Sequence, residues 1–183
     1  MFADARSKTV IFVAHCILNQ NSISDGTADY QGTIKEIIGL LNNYGIGIIQ
    51  LPCPELVCLG LDRGNIKGCD SPVTVENTRI RKLMEQEPAR SKIRQLVDQV
   101  VFQISEYVKY SFEIKGIVGI NRSPSCGVET TSTDNREVKG EGVFIEALRN
   151  ELEKNNINTK FVGVKSSEPE KAVARIKRMV SDR

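Results

Sequence analysis

Short unbroken apolar runs alternate along the chain with longer stretches in which apolar residues recur every third or fourth position. TVIFVA at 9–14 is β-branched and aromatic, the pattern of a strand buried on both faces. GIIQL at 47–51 (stopped by Pro52), IKGIVGI at 114–120 and KFVGV at 160–164 read the same way. Between them the period becomes that of an amphipathic helix. Ile34, Ile37, Ile38 and Leu41 share one face, and residues 43–45 close that helix. Ser71-Pro72 opens a second helix, which Pro88 ends. Ile93, Val97, Val100, Ile104 and Val108 mark a long third one. Phe144, Leu148 and Leu152 mark a fourth that begins at Gly142. Ser167 and Glu170 have capping-box spacing, with Pro169 in the first turn, before a last helix carrying Val173, Ile176 and Val180. The glycine-rich residues 55–69 read as a loop.

Strands alternating with helices predict an α/β fold, a Rossmann-like three-layer domain around a mostly parallel sheet of about four strands. No repeat, low-complexity tract or composition break divides the chain, so residues 1–183 read as a single α/β domain.

Hydrophobic residues at 40% and charged residues at 26% are ordinary for a folded globular chain. The 25 basic and 23 acidic residues leave a net charge of +2, which argues against nucleic acid or an anionic membrane as the main partner. The basic run at 175–178 reads as a solvated helix face. No apolar stretch reaches membrane-spanning length, and the N-terminal run is too short and wrongly flanked for a signal peptide. These features predict a cytoplasmic protein. Five cysteines, an odd number in a reducing compartment, then call for a reading other than a disulfide framework.

Cys16, Cys53 and Cys126 each follow a predicted strand, in AHCILNQN, LPCPEL and NRSPSCG. Open parallel sheets bind ligands outside the carboxyl ends of their strands. Three thiols 37 and 73 residues apart in sequence can therefore converge. Converging thiolates suit zinc, copper(I) or an iron–sulfur cluster, and three ligands leave a coordination position open. Plain core cysteines are the competing explanation. Pro52, Pro54 and Pro124 stiffen the two later loops, and Gly127 permits close backbone approach. His15 is a candidate fourth ligand, although strand alternation would turn it away from Cys16. Cys58 and Cys69 read as structural, because CPELVC is not a CxxC dithiol.

HCILNQN with Asp25-Gly26, CPE, SPSCG and GEGVF occur in one order along most of the chain. Together they resemble the thiouracil desulfidase family. The resemblance implies a [4Fe–4S] cluster held by Cys16, Cys53 and Cys126, with one iron free of protein. It implies non-redox removal of sulfur from a thiolated small heterocycle, such as a 2-thiopyrimidine. By position it marks Glu55 and Ser123 as the catalytic polar groups. Two departures stand out: Asn19 replaces a motif glycine, and Ile23 and Ser24 replace the Arg-Tyr that often precedes Asp25-Gly26. Both fall where substrate would bind, so the cluster carries over better than the substrate does.

The residues themselves allow the same chemistry. Glu55, two positions from a candidate ligand, suits a general base that later returns the proton as an acid. A first-turn helix charge, or an ion pair to Arg63 or Arg122, would also explain it. Ser125 or Ser123 suits substrate orientation or proton relay, and Ser123 equally suits a turn before Pro124. Asn19 and Asp25 are candidate substrate contacts, with turn roles as their alternatives. GxGxxG and P-loop motifs are absent, and a single histidine leaves little room for a serine or cysteine hydrolase. A sulfur-transfer protein and a non-catalytic metal or cluster binder are the competing functions.

Overall fold

The computed structural model describes residues 2–181. The elements run β1 (Thr9–Val13), α1 (His15–Leu18), α2 (Lys35–Asn43), β2 (Gly47–Gln50), α3 (Pro54–Leu59), α4 (Val73–Met84), α5 (Ala89–Lys109), β3 (Glu113–Ile120), β4 (Thr130–Thr133), β5 (Arg136–Lys139), α6 (Val143–Lys154), β6 (Phe161–Val164) and α7 (Pro169–Ser181). The four expected strands form one all-parallel sheet in the order β2-β1-β3-β6. The fold is therefore the expected α/β one, a parallel sheet flanked by helices. Central β1 is buried from Val10 to Val13, and β3 is buried from Gly116 on, which is why both read as continuous apolar runs. Edge strand β2 keeps only half-buried and exposed residues.

The chain leaves β1 for β2 in one direction, then crosses back over β1 to β3 and on to β6. Right-handed crossovers in opposite directions put helices on opposite faces. Accordingly α2 packs with α7, while α5 packs with α6 and α3. Phe12, Ile37, Leu41, Ile104, Ile117, Phe144, Leu148 and Ile176 lie fully buried in the core between these layers.

Three segments differ from expectation. Residues 55–59, read as the start of a loop, belong to α3 (Pro54–Leu59): Pro54 takes the first helical position and Glu55 sits in the first turn. Residues 130–139 form an antiparallel hairpin whose turn residues Asp134 and Asn135 both have positive φ, the type I′ geometry. The last helix begins at Pro169, one position later than a Ser167 cap requires.

Candidate active site

The chain order reverses at β1, and the ends of β1, β2 and β3 deliver the three cysteines to one place. Ala14 N donates to Val118 O (2.8 Å) and Leu51 N to Val13 O (2.8 Å), so the strand ends stay in register to the sheet edge. One cavity of about 720 Å³, including its open mouth, lies beyond that edge. Its wall contains Cys16, Cys53, Cys126, Glu55, Ser123 and Ser125.

Each cysteine is placed by a different local device. Cys16 lies in the single turn α1 that follows β1. The chain turns helical at His15, so strand alternation no longer applies and both His15 and Cys16 line the cavity. Cys53 is the N-cap of α3, its sulfur accepting from Leu56 N at 3.5 Å. Cys126 sits in a tight loop. Ser123 Oγ accepts from Ser125 N (3.3 Å) and Cys126 N (3.0 Å), and Cys126 O accepts from Ile120 N (2.9 Å).

Away from the cavity that loop is tightly packed. A Cβ on Gly142 would stand 2.5 Å from Ser125 O and 2.8 Å from Cys126 N. A Cβ on Gly119 would stand 2.7 Å from the Val128 side chain and collide with Cys126 O. Asn121 clamps the far side of the loop, its Oδ1 accepting from Val128 N (3.3 Å), Glu129 N (3.1 Å) and Thr130 N (3.3 Å).

The Glu55 carboxylate, 7% exposed, ties the parts together. Ser125 Oγ donates to Oε1 at 2.6 Å, and Ser123 Oγ lies 3.4 Å from the same oxygen. Arg63 Nε donates to Oε2 at 3.2 Å, and Ser24 Oγ lies 3.4 Å from it. The first-turn position and the Arg63 ion pair weighed as alternatives for Glu55 are thus both present, along with serine contacts that a catalytic role would use.

Asn19 and Asp25 stand outside this wall. Asn19 caps its own 3-10 turn, accepting from Asn21 N at 3.1 Å, and Asp25 is exposed in the turn that Gly26 completes. Ile23 and Ser24, the positions that depart from the family pattern, do line the cavity. Sequence reading left Asn121 and Asn77 without a role; both are in the wall. Their only signal is Asn121 directly after a strand, too common to single out.

Burial raises all three thiols. Cys16 is pushed up to about 12 by burial and then by Cys53 and Glu55. Cys53 is pushed up to about 11 by burial and then by Glu55. Cys126 is driven well above its ordinary value by burial and then by Cys16 and Cys53. The mutual influence means the three thiols are electrostatic neighbours. His15 goes the other way, lowered by burial and then by the Arg63 charge. Its Nδ1 lies 2.5 Å from Gln50 Nε2, while its Nε2 is buried with no hydrogen-bond partner among the described residues.

Among the described residues no three His, Cys, Asp or Glu side chains stand close enough to hold one metal ion. Iron–sulfur clusters take Cys thiolates as ligands. A multi-iron cluster meets each thiolate on a different iron, so its ligands lie farther apart than those of one ion. Three thiols around a cavity whose wall also holds an unpartnered imidazole nitrogen fit a group of that kind by donor chemistry. All five cysteines are free thiols.

The uncharacterized protein MJ0003 of Methanocaldococcus jannaschii is 28% identical over 177 residues, covering 96% of this chain and 99% of the relative. No family model and no solved structure matches the chain. No helix among the described residues is long and apolar enough to cross a membrane.

Proposed function

We propose that this chain is an iron–sulfur-cluster-dependent desulfidase that replaces the sulfur of a thiolated small heterocycle with oxygen. One observation carries the proposal: three thiols from three strand ends share a cavity wall with a carboxylate already bonded to a serine of the SPSCG loop. Cys16, Cys53 and Cys126 would hold the cluster. When bound, it supplies an iron without a protein ligand, a Lewis acid for the substrate's thiocarbonyl sulfur.

The chain's own residues do the rest. Ile23, Val73, Ile120 and Pro124 offer apolar surface to a flat ring, among the hydroxyls of Ser22, Ser24, Ser123, Ser125, Ser166 and Ser167. Glu55 Oε1, with Ser125 at 2.6 Å, takes a proton from the attacking water and returns it to the departing sulfur. Water adds to the thiocarbonyl carbon and the C–S bond breaks. One thiocarbonyl and one water thus give one carbonyl and one hydrogen sulfide, with no net oxidation. The near-neutral chain works in a cytoplasmic, reducing setting where free thiols persist.

Anaerobic purification with iron and acid-labile sulfide analysis, followed by incubation with 2-thiouracil, tests this. About four irons with matching sulfide per chain, and hydrogen sulfide release, are expected. One zinc and no iron overturns the cluster assignment and favours a plain metal binder. A full cluster without sulfide release overturns the hydrolysis and favours sulfur transfer.

A further inference from the structure

Arg63 is the most buried charged side chain near the cavity, 2% exposed. Its backbone is left-handed, φ 55°, a conformation that non-glycine residues hold only when their surroundings enforce it. The enforcement is visible. Gly60 and Gly64 flank it with positive φ, and Arg79 Nη2 donates to the Arg63 carbonyl at 2.7 Å. Arg79 is itself held by Glu76, which also accepts from Asn65 Nδ2 at 3.0 Å.

A guanidinium has five N–H donors. Here all five are engaged. Nε donates to Glu55 Oε2. Nη1 donates to Gly60 O and Leu61 O, both at 2.9 Å. Nη2 donates to Ser22 O and, at 3.7 Å, to the sulfur of Cys53. A residue needed only to neutralise Glu55 has no cause to touch a thiol. Nor has it donors left for a ligand, although it lines the cavity.

We propose that Arg63 is the positioning residue of this site, fixing the candidate base and one candidate thiolate ligand with the same rigid fork. It holds Glu55 Oε2 with a donor that keeps its own proton, which turns Oε1 toward Ser125 and assigns proton transfer to that oxygen. It gives the Cys53 sulfur an N–H donor, the contact that a sulfur holding a negatively charged group accepts. It also closes the Ser22 loop over the site through Ser22 O. The proposal rests on the desulfidase activity proposed above.

Arg63→Lys keeps the charge and loses the fork, because an ammonium is a point donor. The expected result is a folded chain with full iron and sulfide content. Its KM for 2-thiouracil stays within about twofold of wild type while kcat falls at least about tenfold. The reduction potential of its cluster, read by EPR-monitored titration, moves to more negative values as the N–H···S bond is lost. An Arg63 that only balanced the Glu55 charge would be rescued by Lys, so unchanged kcat and potential overturn the proposal. Arg79→Lys keeps the pair with Glu76 but draws the donor away from the Arg63 carbonyl; it should show both changes at smaller size. It decides the matter if Arg63→Lys does not fold, and an unchanged Arg79→Lys then overturns the proposal. Wild-type protein lacking iron, or lacking sulfide release, sinks the activity and the Arg63 role together. An active wild type beside an unaffected Arg63→Lys sinks the Arg63 role alone.

Discussion

Adding one methyl group at Gly142 should cripple the site while leaving most of the fold in place. Gly142 caps α6 at φ −75° and ψ 154°, a conformation alanine adopts without penalty, so the effect is one of space alone. The new Cβ would lie 2.5 Å from Ser125 O and nearer still to its carbonyl carbon. Ordinary contact begins near 3.4 Å, so the Ser125–Cys126 peptide or the start of α6 must retreat by about 1.0 Å. Retreat along the line of the Ser125 Oγ–Glu55 Oε1 bond takes that bond from 2.6 Å to about 3.6 Å, where a hydrogen bond has lost its hold. Overpacking of this size costs about 1–3 kcal/mol of stability. Misplacing reacting groups by about 1 Å costs on the order of a hundredfold in rate. Urea denaturation, iron analysis and sulfide release from 2-thiouracil together measure the three consequences. The expected pattern is a loss of about 1–3 kcal/mol, reduced iron retention and a turnover drop on the order of a hundredfold. A Gly142→Ala protein with wild-type stability and turnover would refute the claim that this loop is held by lack of space.

Other substitutions separate the remaining parts. Cys16→Ser, Cys53→Ser and Cys126→Ser should each lose most bound iron, while Cys58→Ser and Cys69→Ser keep it; iron and sulfide analysis decides, and the reverse pattern moves the site. Glu55→Gln should keep the cluster and lose about a hundredfold or more in kcat, checked by single-turnover sulfide release. Asn121→Ala leaves three loop N–H groups without their acceptor and should cost about 2 kcal/mol in urea denaturation. Glu76 is held below its ordinary range, chiefly by its hydrogen bond to Arg79. Its contribution is therefore full above the unfolded carboxylate pKa and is lost as pH falls through the lower folded value. Glu76→Gln should be less stable than wild type at pH 7, with the gap closing in acid, as thermal melts against pH would show.

What could be read without coordinates depended on whether one segment carried its own signal. The four sheet strands did, each as a short apolar run, unbroken in β1 and β3 because those are buried on both faces. The hairpin β4–β5 did not. Thr130, Thr131, Ser132 and Thr133 are polar, and their burial comes from α4 and from hydrogen bonds such as Ser132 Oγ to Arg122 O at 2.7 Å. The Asp134-Asn135 turn was the one local clue. Helix α3 was hidden by the glycines that follow it, although Pro54-Glu55 is a helix-start signature. The three post-strand cysteines were legible as a set because parallel topology sends strand ends to one edge. Asn19 and Asp25 were candidates from their motif positions, but both serve turns and neither lines the cavity. The bonds that hold Glu55 could be guessed only as alternatives, since Arg63 reaches it through a backbone conformation no composition reveals.

The placement of Glu55 shows why its motif carries both a thiol and an acid. Cys53 must end an extended segment and begin a helix, and its sulfur accepts from Leu56 N, one of the free N–H groups in the first turn of α3. Pro54 supplies the fixed φ of the first helical position and needs no hydrogen-bond partner there. The next residue then falls in the first turn, where a carboxylate is favoured by the helix dipole and lies within reach of the Ser125 loop arriving from β3. Three consecutive residues thus give a candidate ligand, a stiff joint and a candidate base at the meeting of two strand ends. The chemistry at that point is set by backbone geometry before any ligand arrives, whereas Ile23 and Ser24, on a separate loop, can vary the shape of the cavity without disturbing it.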